Sequence, residues 1–262
     1  MEKLSARKCS GSWDEENVRR YTFSPSDSPA FAALMLTAII VAGGSSQRMG
    51  FDKLLAPLDG KPVVTHSIAA FEQTESVTDI ILVGRAERLS EYEEISETHG
   101  FRKISAVIPG GARRQDSVRL GLEQLGSKTD YVAVHDAARP LVNPELIERI
   151  FQFARSHDGA ACAAPVIDTL KRVDDDHIVS GGVERANLFA VQTPQIFRRD
   201  LLLRAYAAIF ADGLEVTDEI SAVERRGAKV VLVPNEEPNF KITYPADLSL
   251  AEFVLRQRAQ IG

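Results

Sequence analysis

Cysteine is almost missing from this sequence: the two present, Cys9 and Cys162, stand far apart and form neither a CxxC pair nor a cluster with metal-ligand spacing. Cys162 lies in Ala-Ala-Cys-Ala-Ala, the pattern of a tightly packed buried strand, and a reducing cytoplasm is the simplest expected setting. Positive charge is not in excess either. A net charge of −6 leaves no surplus cations to neutralise a nucleic-acid backbone, so no nucleic-acid partner is expected. A small phosphorylated ligand remains open, because it needs only a few well-placed basic groups. The apolar run at 31–42 is too short to cross a bilayer, and Asp14, Glu15 and Glu16 spoil it as a secretion signal. It reads better as a first buried strand, and no membrane partner is expected. Tryptophan occurs once; neither Trp13 nor Cys9 stands in a context that points to function.

What is present is ordinary globular composition, 44% hydrophobic and 26% charged over 262 residues, enough for one α/β domain with a full core. Residues 1–34 differ from the rest, ending in the linker chemistry of Ser24-Pro25-Ser26-Asp27-Ser28-Pro29. They read as a disordered or non-native extension, with Met35 as a candidate natural start and 35–262 as a single domain. Strands are expected at 37–42, 79–83, 105–108, 131–135, 160–166 and 229–233. Helices are expected between and after them, at 62–73, 87–98, 115–125, 144–157, 199–211, 218–226 and 245–258. Near-continuous apolar strands such as Ala38-Ile39-Ile40-Val41 suit a mostly parallel sheet covered on both faces. In such sheets ligands sit beyond the carboxyl ends of the strands. The rhythm breaks at 168–194, where Lys171-Arg172-Val173 and His177-Ile178-Val179 flank Asp174-Asp175-Asp176 as a hairpin would. The acidic run reads as a solvated tip rather than a metal site.

Three blocks follow predicted strands. Ala42-Gly43-Gly44-Ser45-Ser46-Gln47-Arg48-Met49-Gly50, with Lys53 after it, offers backbone N–H groups and two cations to a polyphosphate. It matches neither the P-loop nor the dinucleotide fingerprint, and a glycine-rich turn with two solvated bases is the plain alternative. Gly110-Gly111-Ala112-Arg113-Arg114-Gln115-Asp116-Ser117 permits a second close approach, with Ser117 free to bond a base or sugar; an ordinary strand-to-helix turn also fits. Val134-His135-Asp136-Ala137-Ala138-Arg139-Pro140 puts a carboxylate at a strand end, where it suits Mg²⁺ against phosphate oxygens or a helix cap. His135 reads as a packed strand-end histidine, since a phosphate nucleophile is already ionised and needs no base.

The first block resembles both the sugar and polyol nucleotidyltransferases and the molybdenum-cofactor guanylyl- or cytidylyltransferases. The later series separates them. His135-Asp136-Ala137-Ala138-Arg139-Pro140, with Ala164-Pro165-Val166-Ile167-Asp168-Thr169-Leu170-Lys171, Gln192-Thr193-Pro194-Gln195, Thr217-Asp218-Glu219 and Lys241-Ile242-Thr243, resembles the 2-C-methyl-D-erythritol 4-phosphate cytidylyltransferases after Leu36. The resemblance implies a Rossmann-like, nucleotide-diphospho-sugar-transferase fold with a protruding β-arm at 168–194 and a homodimer with shared active sites. It implies CTP and a polyol phosphate as substrates, with ribitol 5-phosphate the rival acceptor and a non-catalytic nucleotide-binding protein the rival of another class. Arg48 and Lys53 take the place of transition-state stabilisers, and Arg185 and Lys241 that of the pair positioning the polyol phosphate. Ala42, Gly43, Gly44, Gly111 and Ser117 correspond to the nucleotide pocket, Asp136 to the Mg²⁺ ligand, and Arg139, Thr169 and Thr193 to the acceptor site. Arg185 and Thr169 would then reach across from the partner subunit. The chain departs from the family pattern at Val41 and Gly43, where many members carry proline and alanine, and at Ala112 and Pro238, where some members carry an acidic residue and an Asp.

Overall fold

The computed structural model describes residues 34–44 and 49–261; of the expected N-terminal extension all but Leu34, including Cys9 and Trp13, lies outside the described residues. The fold grows outward from β1 (Leu36–Ala42), whose side chains are buried almost throughout. It can be so apolar because both its faces are covered, while its backbone is paired in parallel to β4 (Val77–Gly84) and to β6 (Tyr131–Asp136). β5 (Ile104–Pro109) lies beyond β4. Beyond β6 come β10 (Phe189–Arg198), β7 (Gly159–Pro165) and β11 (Val230–Pro234), giving the order β11-β7-β10-β6-β1-β4-β5. β10 runs antiparallel to both its neighbours.

Alternation along β1 feeds two cores. Leu36, Ala38 and Ile40 pack with α1 (Val63–Gln73), α2 (Leu89–His99), α4 (Pro144–Ser156) and α7 (Pro245–Ile261) on one face. Ile39 packs with α3 (Arg114–Leu122), α5 (Arg199–Ala211) and α6 (Glu219–Glu224) on the other. α4 illustrates how the sequence sets a helix. Asn143 caps it by accepting from the Leu146 N–H at 2.9 Å, Pro144 opens it, and Leu146, Ile147, Ile150, Phe151 and Ala154 recur on the buried side. A small hairpin of β2 (Pro57–Leu58) and β3 (Lys61–Pro62) precedes α1; it was not expected from the sequence.

Each expected strand is present with ends shifted by at most two residues, and each expected helix by at most three. In the main sheet the strand missed is β10. Gln192-Thr193-Pro194-Gln195 lacks the apolar alternation of a strand, and a central strand excludes proline unless the ladder is interrupted. Here it is interrupted, because the pairing to β7 shifts register between Val191 and Gln195 and Pro194 sits in the gap.

The hairpin at the break in rhythm exists, but its strands are β8 (Leu170–Val173) and β9 (Val179–Val183), paired with Lys171 opposite Gly182. The second strand starts later than expected because Asp174 organises a wider turn. Its Oδ1 accepts from the N–H groups of Asp176 at 3.1 Å and Ile178 at 2.9 Å, and His177 adopts a left-handed φ of 62°. The base closes where Val166 N–H donates to the Leu188 carbonyl at 3.1 Å. Residues 189–194, expected in the arm, therefore belong to β10 in the main sheet.

Candidate active site

Two cavities open at the carboxyl ends of the parallel strands. One, of about 310 Å³, is lined by Val41, Gly43, Gly44, Lys53, Gly111 and Ser117 among others. The second, of about 650 Å³, lies along β10 and α6 and is lined by Arg139, Gln192, Thr193, Gln195 and Asp218 among others. Arg114, Asp136 and Lys241 line both. Gly43, Gly44, Gly111 and Ser117, expected around the nucleotide, and Arg139 and Thr193, expected around the acceptor, thus line adjoining spaces with one shared wall. Arg48 lies outside the described residues. Ala42 is buried and does not line the first cavity, because strand alternation turns its side chain into the core; Val41 takes that place.

The first cavity's floor is the β5–α3 turn. Gly110 N–H donates to the Gly84 carbonyl at 2.7 Å and Gly111 N–H to the Ser117 hydroxyl at 3.1 Å, which folds the turn onto the first turns of α3. A Cβ on Gly110 would stand 2.6 Å from Ser117 Oγ, and one on Gly111 2.4 Å from Asp116 Cβ, so neither position has room for a side chain. Gly43 differs: its Cβ would meet Ser117 Oγ at 3.4 Å, an ordinary contact.

Asp136 is the electrostatic centre. Its Oδ1 accepts from Arg114 Nε at 2.9 Å and its Oδ2 from Lys241 Nζ at 2.9 Å, with Arg139 Nε 4.0 Å away. Burial works to raise its pKa, but the charges of Arg114 and Lys241 outweigh burial and hold the carboxyl well below the usual carboxylate range. Arg114 is itself tied down from behind. Its Nη1 and Nη2 donate to the two oxygens of Glu219 at 2.7 and 3.0 Å, and Glu219 is fully buried. Lys53 Nζ donates to the Ile242 carbonyl at 2.8 Å, next to Lys241.

His135 is fully buried, with Phe71 packed against its ring at 5.0 Å between centroids. Burial pushes its pKa down to about 3. Its Nε2 lies 3.3 Å from the Arg139 carbonyl, which can only accept, so Nε2 carries the proton and Nδ1 is bare. The Thr193 hydroxyl then donates to Nδ1 at 3.1 Å while accepting the Asp136 N–H at 3.0 Å. His135 is packing, as expected, and Thr193 borders the second cavity with its hydroxyl already engaged. Arg139 is anchored by donating Nη1 to the Asn239 carbonyl at 2.8 Å, and burial lowers its pKa.

Arg185 and Thr169 are exposed on the arm, and neither lines either of these two cavities. Arg185 Nη1 donates to the Ile167 carbonyl at the base of the arm. The residues missed in the sequence are Arg114 and Glu219. Both fall within recognised blocks, but their pairing spans 105 positions and no local pattern marks it. Among the described residues no group of three or more His, Cys, Asp or Glu is arranged to hold a metal. Asp136 is the sole carboxylate lining the first cavity among those residues.

Residues 36–257 match the family model of 2-C-methyl-D-erythritol 4-phosphate cytidylyltransferase. The protein of that name from Dehalococcoides mccartyi strain 195 is 38% identical over 221 residues, covering 84% of this chain and 96% of its own length. The crystal structure of 4-diphosphocytidyl-2C-methyl-D-erythritol synthase from Anaerococcus prevotii superposes with a TM-score of 0.75 at 27% identity, covering 86% of this chain and all 100% of its own. The 2-C-methyl-D-erythritol 4-phosphate cytidylyltransferase of Thermus thermophilus gives a TM-score of 0.69 at 31% identity, covering 85% and 100%.

Proposed function

This chain belongs to the 2-C-methyl-D-erythritol 4-phosphate cytidylyltransferase family, and from that premise we propose that it transfers the cytidylyl group of CTP to 2-C-methyl-D-erythritol 4-phosphate. The observation that carries the reading is the meeting of two cavities on the Arg114–Asp136–Lys241 wall, one floored by the glycine turn and one bordered by Arg139. A nucleotide in the first and a phosphorylated acceptor in the second bring nucleophile and electrophile together at the wall. An oxygen of the acceptor phosphate attacks the α-phosphorus in line; the bond to the bridging oxygen breaks, and its electron pair leaves with pyrophosphate.

Both reactants are anionic, so the protein's work is alignment and charge stabilisation. Lys53, on the wall of the first cavity, and Arg48 are assigned to the charge developing on the α-phosphate and pyrophosphate. Gly43, Gly44, Gly111 and Ser117 form the nucleotide pocket, with Ala42 supporting it from the core. Lys241 and Arg139 hold the acceptor phosphate, and Thr193 fixes the backbone beneath it. No general base is needed, which agrees with a His135 that is buried and neutral.

Mg²⁺ is the proposed cofactor. Asp136 supplies one carboxylate with both oxygens already engaged by cations. Such a donor set fits an ion that takes one protein oxygen and completes its shell from phosphates and water, and does not fit an ion enclosed by protein alone. Bound there, the ion supplies charge neutralisation for the triphosphate.

A homodimer is proposed for the arm. Ile167, Val173, Ile178 and Val179 are exposed on it or at its base, more apolar surface than a solvated hairpin needs. In that assembly the arm of one protomer delivers Arg185 and Thr169 to the acceptor cavity of its partner. No helix among the described residues is long and apolar enough to cross a membrane. A cytoplasmic site of action is proposed, in keeping with Cys162 as a buried unpaired thiol.

The test is pyrophosphate release from CTP with Mg²⁺, using 2-C-methyl-D-erythritol 4-phosphate, ribitol 5-phosphate and no acceptor in parallel. Turnover with the first alone is the expected result. Turnover with ribitol 5-phosphate alone reassigns the acceptor, and silence with both overturns the transfer.

A further inference from the structure

The reaction as described uses Arg114, Asp136 and Lys241 but gives no task to the carboxylate buried behind them. Glu219 is fully buried at the first position of α6, directly after the cap Asp218, whose Oδ1 accepts from Ser221 N–H at 3.0 Å. α6 is held against β10, because Gln195 Oε1 accepts from Ile220 N–H at 3.1 Å and its Nε2 donates to Asp218 at 3.1 Å. The carboxylate therefore has a fixed address. Its Oε1 takes two bonds, from Arg114 Nη1 at 2.7 Å and the Tyr206 hydroxyl at 2.9 Å, and its Oε2 takes Arg114 Nη2 at 3.0 Å.

This arrangement is expensive unless it serves something. A buried ion pair often contributes no net stability over apolar side chains of the same size. Glu219 nevertheless meets Arg114 edge to edge, which fixes the guanidinium plane and aims its remaining Nε at Asp136. The charges on the wall then cancel in pairs, Glu219 with Arg114 and Asp136 with Lys241.

We propose that Glu219, with Tyr206 behind it, is a positioning residue for transfer, keeping Arg114 a fixed, charge-compensated donor to Asp136 on the wall shared by both cavities. The inference rests on the transfer reading above. Its physical sense lies in what an uncompensated Arg114 would do. The side chain is 26% exposed and borders both substrate spaces. Without its carboxylate it would swing onto whichever phosphate is nearest, substrate or pyrophosphate alike. Binding that is equally strong before and after the chemical step does not raise turnover, and tight product binding lowers it.

The test is Glu219→Gln and Tyr206→Phe, each compared with the wild type for kcat, both KM values and inhibition by added pyrophosphate, with melting temperature read in parallel. Glu219→Gln is expected to lower kcat roughly tenfold or more without raising the KM for CTP, and to tighten pyrophosphate inhibition several-fold. Tyr206→Phe, which removes one of the three bonds, is expected to move both readings the same way by about two- to threefold. A merely structural role would reduce activity in step with the folded fraction and leave pyrophosphate inhibition unchanged, and that result overturns the proposal. Should Glu219→Gln fail to fold, Tyr206→Phe decides: an unchanged inhibition constant overturns the proposal and a tightened one supports it. Calorimetric titration of pyrophosphate into wild type and variants, without acceptor, keeps the two readings apart. A wild type that releases no pyrophosphate from CTP sinks the transfer, whereas the difference in affinity still reports on the wall.

Discussion

Lys53 and Ile242 are joined by a 2.8 Å hydrogen bond from ammonium to carbonyl, across 189 positions of sequence. The bond ties the exit of the glycine loop to the segment that carries Lys241, so the two proposed phosphate-binding lysines are set by one contact. Replacing Lys53 by alanine removes a charge at the transfer step but only one hydrogen bond from the fold. The expected result is a fall in kcat of roughly 10²-fold or more with a stability loss of about 1 kcal/mol. Steady-state kinetics beside a urea melt would check it; near-normal turnover would remove Lys53 from the mechanism.

Acid should destabilise the protein in two stages. His135 is neutral in the fold, pushed down to about 3, whereas an unfolded histidine protonates near pH 6.5. Its contribution is whole above that pH and is lost as pH falls toward the folded value, by at most about 1.4 kcal/mol per pH unit. Asp136 is depressed in the fold, so its contribution is present above about pH 4 and is lost as pH falls through its lower folded value. Chemical denaturation at a series of pH values should show a shallow decline from about pH 6.5 and a steeper one below about pH 4. In His135→Asn the shallow stage should shrink; an unchanged slope would mean that this histidine is not held neutral.

The proposed sharing of sites across a dimer has a complementation signature. Arg185→Ala and Lys241→Ala should each be nearly inactive at low acceptor concentration. Mixed and allowed to exchange subunits, they form hybrids in which one site has both residues intact. Equal mixing should restore about a quarter of wild-type activity, the share expected from random pairing. No recovery, with exchange verified by a tag, would place Arg185 in the service of its own chain or outside the site.

The glycines of the proposed nucleotide pocket should respond unequally to alanine. Gly43→Ala meets Ser117 at an ordinary distance and should leave the KM for CTP within about twofold. Gly111→Ala drives a methyl into Asp116 and should raise that KM by about tenfold or more, because the turn must open to admit it. Equal effects would mean that the floor of the cavity is not where CTP rests.

The sequence made the parallel half of the sheet readable, since residues 38–42 in β1 and 131–134 in β6 are apolar runs of the kind found in strands covered on both faces. It also made the strand-end blocks readable, since Gly111, Ser117 and Asp136 follow predicted strands and come together as that placement implies. What it hid is tertiary. β10 is a central strand that contains a proline, and only its interrupted pairing to β7 makes this possible. Glu219 looks like any acidic residue in the first turn of a helix until Arg114 and Tyr206 are found around it. Arg139 gives no hint in sequence that its backbone carbonyl sets the tautomer of His135.

The arm leaves the sheet from β7 and returns as β10, and both are interior strands. A projection rooted at an edge would sway without disturbing its neighbours; this one is clamped between hydrogen-bonded ladders, like a beam built into a wall. β10 also carries Thr193, which grips the Asp136 amide, so a load applied to the arm is borne at the Arg114–Asp136–Lys241 wall itself. In the proposed homodimer, association and transfer are therefore mechanically in series.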